Sequence, residues 1–478
     1  MDETKARWGS LFKNGLALYT IMLNVGIGLH AVDVFIVTTI MPSVVHDIGG
    51  EAYYTWATML YMVASIIGAA TGAPVKSAFG PRRSYCLGAL LFLAGSVGCA
   101  VSPTIFVLLA MRLVQGFGGG LIIALSMGLI RELYPEAVRK RALALVSSTW
   151  GVAALIGPAV GGSFAQIGFW RGAFWLNAPI ILAFMLAAWF RLPERLAAPP
   201  GGRFPYRRMA MLSVGVLCVG VAGNWQSVGI QIVLIAAAVL LVWQTLRLDR
   251  TDGSKLFPSH PFSPRTTTGS ANWVFFLSSI THTVIGVYLP LALQVVHGVD
   301  PLEAGYITAS LAVCWTIASM ATAHVHGRAA SVVIVFGQCM CCIGLGALAF
   351  GLERVPTEVV PILNGLVGIG LGCSNLHVTE ATMRHAATGE EMLTASSIPT
   401  IRSLGIAFGA AGAGVIANSA GLTLAASDIA RAVTAVLAVG VLAPFVALLM
   451  SLRFVALIAS APSQAPARSA PGSAGATH

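Results

Sequence analysis

Residues Trp150–Gly162, WGVAALIGPAVGG, with Trp170–Pro179, WRGAFWLNAP, close behind, decide how this chain is read. The stretch lies in an apolar run long enough to cross a bilayer, yet it carries Gly151, Gly157, Pro158, Gly161 and Gly162. In a soluble helix so many glycines would be destabilising. Inside a membrane bundle, glycine lets neighbouring backbones approach closely, while Pro158 frees a carbonyl one turn back and favours a bend. The pattern predicts a thin, bendable helix on which its neighbours close.

The rest of the chain agrees with a membrane setting. Of its 478 residues 56% are hydrophobic and only 10% charged, against about 25% charged in a soluble domain. Apolar runs of the ~20 residues needed to span a bilayer fall near 15–41, 52–75, 84–101, 103–127, 142–166 and 172–190. Two more fall near 209–223 and 228–246, between the polar stretches 191–208 and 247–265. Six follow near 271–296, 302–323, 329–350, 358–380, 394–417 and 430–452. The eight cysteines lie within apolar runs, so neither disulfides nor a metal site is expected, the CxxC at Cys339–Cys342 included.

Charge placement fixes the orientation. With the amino terminus inside, only Arg171, Arg354 and Arg431 of the 28 Lys and Arg residues face outward, and Arg112 and Arg402 lie within spans. The remainder collects on the inner side, as the positive-inside rule requires. Removing one of the two middle runs would invert everything downstream and spoil this segregation. The net charge of +10 is thus a topology signal, and nucleic acid is not an expected partner.

The spacing Gly151, Gly157-Pro158, Gly161-Gly162 resembles the fifth-helix antiporter signature of the major facilitator superfamily. The trailing Trp-Arg…Phe-Trp-x-Asn-x-Pro resembles its 14-span drug:proton antiporter branch. A small-xxx-small repeat alone is weak; GPxxGG with this tail is specific. The resemblance implies an all-α polytopic fold of two six-helix halves plus two inserted helices, fourteen transmembrane helices in all. The expected divisions are 1–14 (cytoplasmic), 15–190 (first half), 191–265 (linker with the extra pair), 266–452 (second half) and 453–478 (disordered cytoplasmic tail). Such halves carry inverted repeats with the substrate site between them at mid-membrane.

Among 18 Asp and Glu, only Asp33 lies deep in a span. An intramembrane carboxyl is costly unless protonated, paired or facing water, and is by default a functional candidate. Its surroundings, LHAVDVFIVTTIMP, resemble the first-helix signature of the same branch. Asp33 lies nine residues before Pro42 and Arg112 nine after Pro103. On antiparallel helices both charges then sit ~13 Å deep. Arg112, Gln115 and Gly116 resemble the fourth-helix RxxQG signature that the superfamily links to proton movement. His30, one turn from Asp33, is a candidate proton relay or a hydrogen-bond partner. Asn24, Gln115, His282, Gln294, Asn375 and Arg402 are candidates for a substrate cavity, and Asn364 for the same role or a helix–helix bond. Glu380 sits near a span end with Arg384 one turn on.

The loop APVKSAFGPRR, 73–83, resembles the superfamily's gating signature, with Gly80, Arg82 and Arg83 in place. Ser77 and Ala78 stand where the family usually has Asp and Arg, which puts its charge latch in doubt. No G-x-x-x-x-G-K-[ST] motif and no plausible hydrolytic triad occur, so neither an ATP-driven pump nor an enzyme is expected. The reading is a bacterial inner-membrane, proton-coupled exporter of small, mostly apolar compounds, with both termini cytoplasmic and no cofactor. Its partners are substrate, protons and lipid; outer-membrane efflux partners are not legible. Uptake or uniport on the same scaffold, and a non-transporting sensor or scaffold, are the alternatives.

Overall fold

A computed structural model describes residues 11–12, 16–194, 206–225, 227–251, 255–387, 390–423 and 425–460. These are almost wholly helical: α1 Leu16–Ile48, α2 Trp56–Ala100, α3 Ile105–Leu133, α4 Glu136–Gln166, α5 Arg171–Trp175, α6 Asn177–Arg191, α7 Tyr206–Ala222 and α8 Val228–Thr251. Then come α9 Thr267–Val295, α10 Pro301–Thr322, α11 Arg328–Gly351, α12 Val360–Arg384, α13 Glu391–Ser419, α14 Ala426–Gly440 and α15 Leu442–Ser460. In long helices such as α1, α3 and α12 apolar side chains are spread around the axis, which suits helices packed inside a membrane bundle. Eleven helical stretches among the described residues are long and apolar enough to cross a bilayer.

Two boundaries differ from expectation: α1 runs past Pro42 to Ile48, and α15 runs past 452. The runs near 52–75 and 84–101 are two helices, as expected, written together as α2 because they meet directly at the non-helical Gly80 (φ 77°, ψ 165°). A side chain there would be strained, and its Cβ would lie 2.1 Å from the Glu194 carbonyl oxygen. The run near 172–190 is one span, Arg171–Arg191, in which α5 and α6 join through the helical Leu176. Finally, α15 continues to Ser460, so residues 453–460, expected in the tail, are helical. No glycine or proline between 453 and 460 stops the helix, and apolar residues resume after Arg453. The rest of the expected tail lies outside the described residues, as does most of 1–14.

Helices α1–α6 pack among themselves, as do α9–α15. The two sets meet along α4 with α10, α2 with α13, and α1 with α9. Many of these cross-contacts gather at the end carrying the 49–55 and 296–300 connections. There Gln294 Nε2 donates to the Thr39 carbonyl (3.1 Å), the Tyr54 hydroxyl to Val287 (3.3 Å) and Asn418 Nδ2 to Ala52 (2.8 Å). Helix α7 lies in the α2–α13 seam. Its Met209 and Leu212 share a core with Ile66, Ile398, Ile401 and Leu404.

Candidate functional site

The centre of the first helix set holds a charged cluster sealed from solvent. Arg112 on α3 ion-pairs with Asp33 on α1, and the two residues are 1% and 0% exposed. Arg112 Nη1 also donates to Gln115 Oε1 (2.6 Å) and Nε to the Ala57 carbonyl (3.3 Å). The guanidinium lies 4.0 Å over the Tyr61 ring, a cation–π placement that suits a desolvated arginine. Asp33 Oδ1 accepts from Gln115 Nε2 (2.7 Å) and Asn177 Nδ2 (3.3 Å). Each charge therefore meets an opposite charge and several dipoles, the condition under which a buried ion pair persists.

Sequence reasoning paired Asp33 with Arg112, as the structure does, but placed Gln115 in a cavity rather than in this cluster. It missed Asn177, Tyr61 and Ser96, the last of which accepts from Gln115 Nε2 (2.9 Å). Asn177 was visible within the quoted Trp-Arg…Asn-Pro motif; Tyr61 and Ser96 sit in apolar runs that carry no signal. His30 does not touch Asp33. Its Nδ1 is 2.8 Å from the Tyr61 hydroxyl, and its ring meets the edge of Trp150, which is 37% exposed. An aromatic chain thus links the sealed pair to the exposed face of α4.

The close approach that permits this geometry depends on glycine. A Cβ on Gly120 of α3 would lie 2.0 Å from the Ser65 carbonyl of α2, and one on Gly119 would lie 2.7 Å from His30 Nδ1. The α4 glycines divide their work. A Cβ on Gly157 would meet Phe35 of α1 at 2.4 Å, whereas one on Gly162 would meet Leu302 of α10 at 2.5 Å. Gly161 faces Ile36, Gly151 faces Thr316 on α10, and Pro158 packs on Gly305. One stretch therefore grips both helix sets.

The other cavity candidates are dispersed. Asn24 bridges α1 to α4, accepting from Thr149 Oγ1 (2.8 Å). Gln115 is fully buried in the charged cluster rather than facing a cavity. Gln294 lies at the sealed end described above, and Asn364 ties α12 to α10 through Ser310 Oγ (3.0 Å). His282 on α9 meets the edge of Trp315 on α10. Arg402 on α13 donates from Nη2 to Asn375 Oδ1 (3.0 Å) and Thr379 Oγ1 (3.3 Å), both on α12, and lies 5.0 Å from the Phe275 ring.

The gating loop finds an acid elsewhere. Arg82 Nη1 pairs with Glu194 Oε1 (2.8 Å) and Nε donates to the Leu192 carbonyl (2.9 Å), just beyond α6. Arg83 has no such role among the described contacts, and Glu380 pairs with Arg384 on the surface (2.5 Å).

Known proteins resemble this chain along nearly its whole length. The family model described as Major Facilitator Superfamily matches residues 23–410. A Mycobacterium tuberculosis protein named a probable multidrug-efflux transporter is 33% identical over 476 residues, covering 94% of this chain and 98% of that protein. The multidrug transporter protein MdtP of Bacillus subtilis is 25% identical over 400 residues, covering 81% of this chain and 73% of its own. In fold, the chain resembles a bacterial homologue of the human lysosomal transporter Spinster in an inward-facing, unoccupied conformation. There the TM-score is 0.67 at 13% identity, covering 94% and 98% of the two chains.

Proposed function

This chain belongs to the Major Facilitator Superfamily, and from that premise we propose that it exports small, mostly apolar compounds in exchange for protons by alternating access. It is a transporter rather than an enzyme, and the proton gradient takes the place of any cofactor. The efflux names of its relatives support the direction. The observation that carries the proton coupling is the Asp33–Arg112 pair, sealed at the centre of the first helix set.

The mechanism follows from the partners of that pair. A carboxylate's proton affinity depends on its desolvation and on the distance to a neighbouring positive charge. Any movement of α1 against α3 that lengthens the contact changes that affinity. Protonation of Asp33 in turn cancels its attraction for Arg112 and leaves Gln115 and Asn177 to hold α1. Proton binding from one side thereby favours one packing of the helices, and release on the other side favours the alternative.

We read fourteen spans on a six-two-six plan, with 15–190 and 266–452 as the halves and 191–265 as the insertion. The two arms of α2, the 17-residue α7 and the long α4 supply the spans beyond the eleven that meet a strict length and hydropathy test. The basic end faces the cytoplasm of a bacterial inner membrane, with both termini inside. On that assignment the cross-contacts seal the outer end, so this is an inward-facing arrangement. The Arg82–Glu194 pair stands in for the acid absent at Ser77.

The test is efflux against an imposed pH gradient in proteoliposomes. Asp33→Asn, a mimic of the protonated acid, is expected to bind substrate and lose gradient-driven transport. Undiminished proton-driven efflux in that variant would overturn the coupling role of Asp33 and turn attention to Glu380.

A further inference from the structure

The second helix set contains a deep positive charge with no acid beside it. Arg402 lies near the middle of α13, half-buried, where α9, α12 and α13 meet. A guanidinium offers five N–H donors. Here only Nη2 is engaged, by the neutral Asn375 and Thr379, and the buried Nε has no partner. Among the described residues no carboxylate lies within ion-pairing distance of it. An uncompensated charge at this depth is strongly disfavoured unless it faces water or an anion.

The two acids already considered for coupling are both paired. Asp33 is completely buried, with its oxygens committed to Arg112, Gln115 and Asn177. Glu380 pairs with Arg384, and its side chain is 44% exposed near the end of α12. Among the described residues, a cationic substrate entering the bundle therefore meets no free carboxylate at mid-depth, while an anion meets Arg402. Asn375 and Thr379 fix Nη2, and Nε is buried, which leaves Nη1 to meet a carboxylate or sulfonate. Two helical turns along α9 from Phe275, on the same face, His282 meets Trp315 edge-on and offers an aromatic wall.

We propose that Arg402 is the anchor of a substrate site for amphipathic organic anions, an aromatic or apolar body bearing a carboxylate or sulfonate. This rests on the transporter reading above and gives its substrate class. The charges then divide between the halves: the Asp33–Arg112 pair handles the proton, and Arg402 handles the substrate.

The test compares two probes of similar shape and opposite charge, 1-naphthylacetate and 1-naphthylmethylammonium. Binding is measured by equilibrium dialysis at pH 7 against the full chain in phosphatidylcholine nanodiscs, with empty nanodiscs subtracted. Loss of one partner of a desolvated charge pair is a large effect, so the wild type should prefer the anion by about tenfold or more. Arg402→Gln should erase that preference and leave the cation unchanged. Arg402→Lys should retain part of it, since an ammonium keeps the charge without the planar fork. Equal affinity for both probes, binding of neither, or an undiminished anion preference in Arg402→Gln would each overturn the assignment. Gradient-driven flux of both probes in proteoliposomes separates the two readings. Export of the cation alone would sink this inference and spare the transporter. Anion binding that depends on Arg402 without any gradient-driven flux would do the reverse.

Discussion

Two arginines sit deep in this bundle, and their surroundings differ by one carboxylate. Arg112, in the first helix set, is closed in by Asp33, Gln115 and the Tyr61 ring and is 1% exposed. Arg402, in the second, meets only Asn375, Thr379 and Phe275, and remains half-buried. A paired charge can be shut away from water because each partner supplies what the other loses in desolvation. An unpaired charge has to keep a route to water or to a ligand. In the two proposals above, the same residue type therefore serves opposite ends, one as a closed switch and the other as an open receptor.

Stability measurements can break this contrast. Arg112→Gln leaves the Asp33 carboxylate buried without its counter-charge, and the expected loss is about 3–5 kcal/mol, read as a large drop in thermal midpoint. Adding Asp33→Asn should restore most of that loss, although coupling stays absent. A single variant that melts like the wild type would mean that the pair is not what distinguishes the first half.

A cluster where α13 begins supplies the intermediate scale. Glu390 accepts from Ser259 N (2.8 Å), Ser259 Oγ (2.5 Å) and Lys255 Nζ (3.2 Å), and its side chain is 18% exposed. Burial pushes this carboxyl up, but the hydrogen bonds from Ser259 and the Lys255 ammonium outweigh it and hold the group below its ordinary range. A depressed carboxylate stabilises the fold above its unfolded pKa and loses that contribution as pH falls through the folded value. Glu390→Gln should accordingly cost about 1–2 kcal/mol near neutral pH. The gap between the two melting curves should close on acidification below the carboxylate range. A gap independent of pH would assign the effect to packing alone.

The smallest effect is expected where the charge has no partner. Arg402→Gln removes a guanidinium that no acid compensates, so stability should change by less than about 0.5 kcal/mol or rise. A thermal midpoint lowered as far as in Arg112→Gln would show that the two arginines do the same structural work.

The composition, the basic-side segregation and the glycine-rich stretch from Trp150 were enough to read a many-helix membrane transporter. These are one-dimensional signals: the bilayer demands apolar length, and charge placement records the side on which each loop stayed. Asp33 and Arg112 were legible for the same reason, because a charge stands out in an apolar run; the spacing from Pro42 was no measure of depth, since α1 continues past it to Ile48. Helix boundaries were less so, since α1 runs through Pro42 to Ile48 and α15 runs on to Ser460.

Partner choice was decided only in three dimensions. His30, one turn from Asp33, bonds to Tyr61 instead, because the Gly119 surface of α3 leaves room for its ring beside α2. Gln115 turns into the charged cluster rather than a cavity, and Glu194, far along the chain, answers Arg82 where Ser77 cannot. Above all, Arg112 and Arg402 look alike in sequence, each a lone arginine in an apolar helix. Which of them meets a carboxylate depends on how helices distant in sequence pack. Periodicity can set the depth of a charge along its own helix, but its neighbour is set by the tertiary fold.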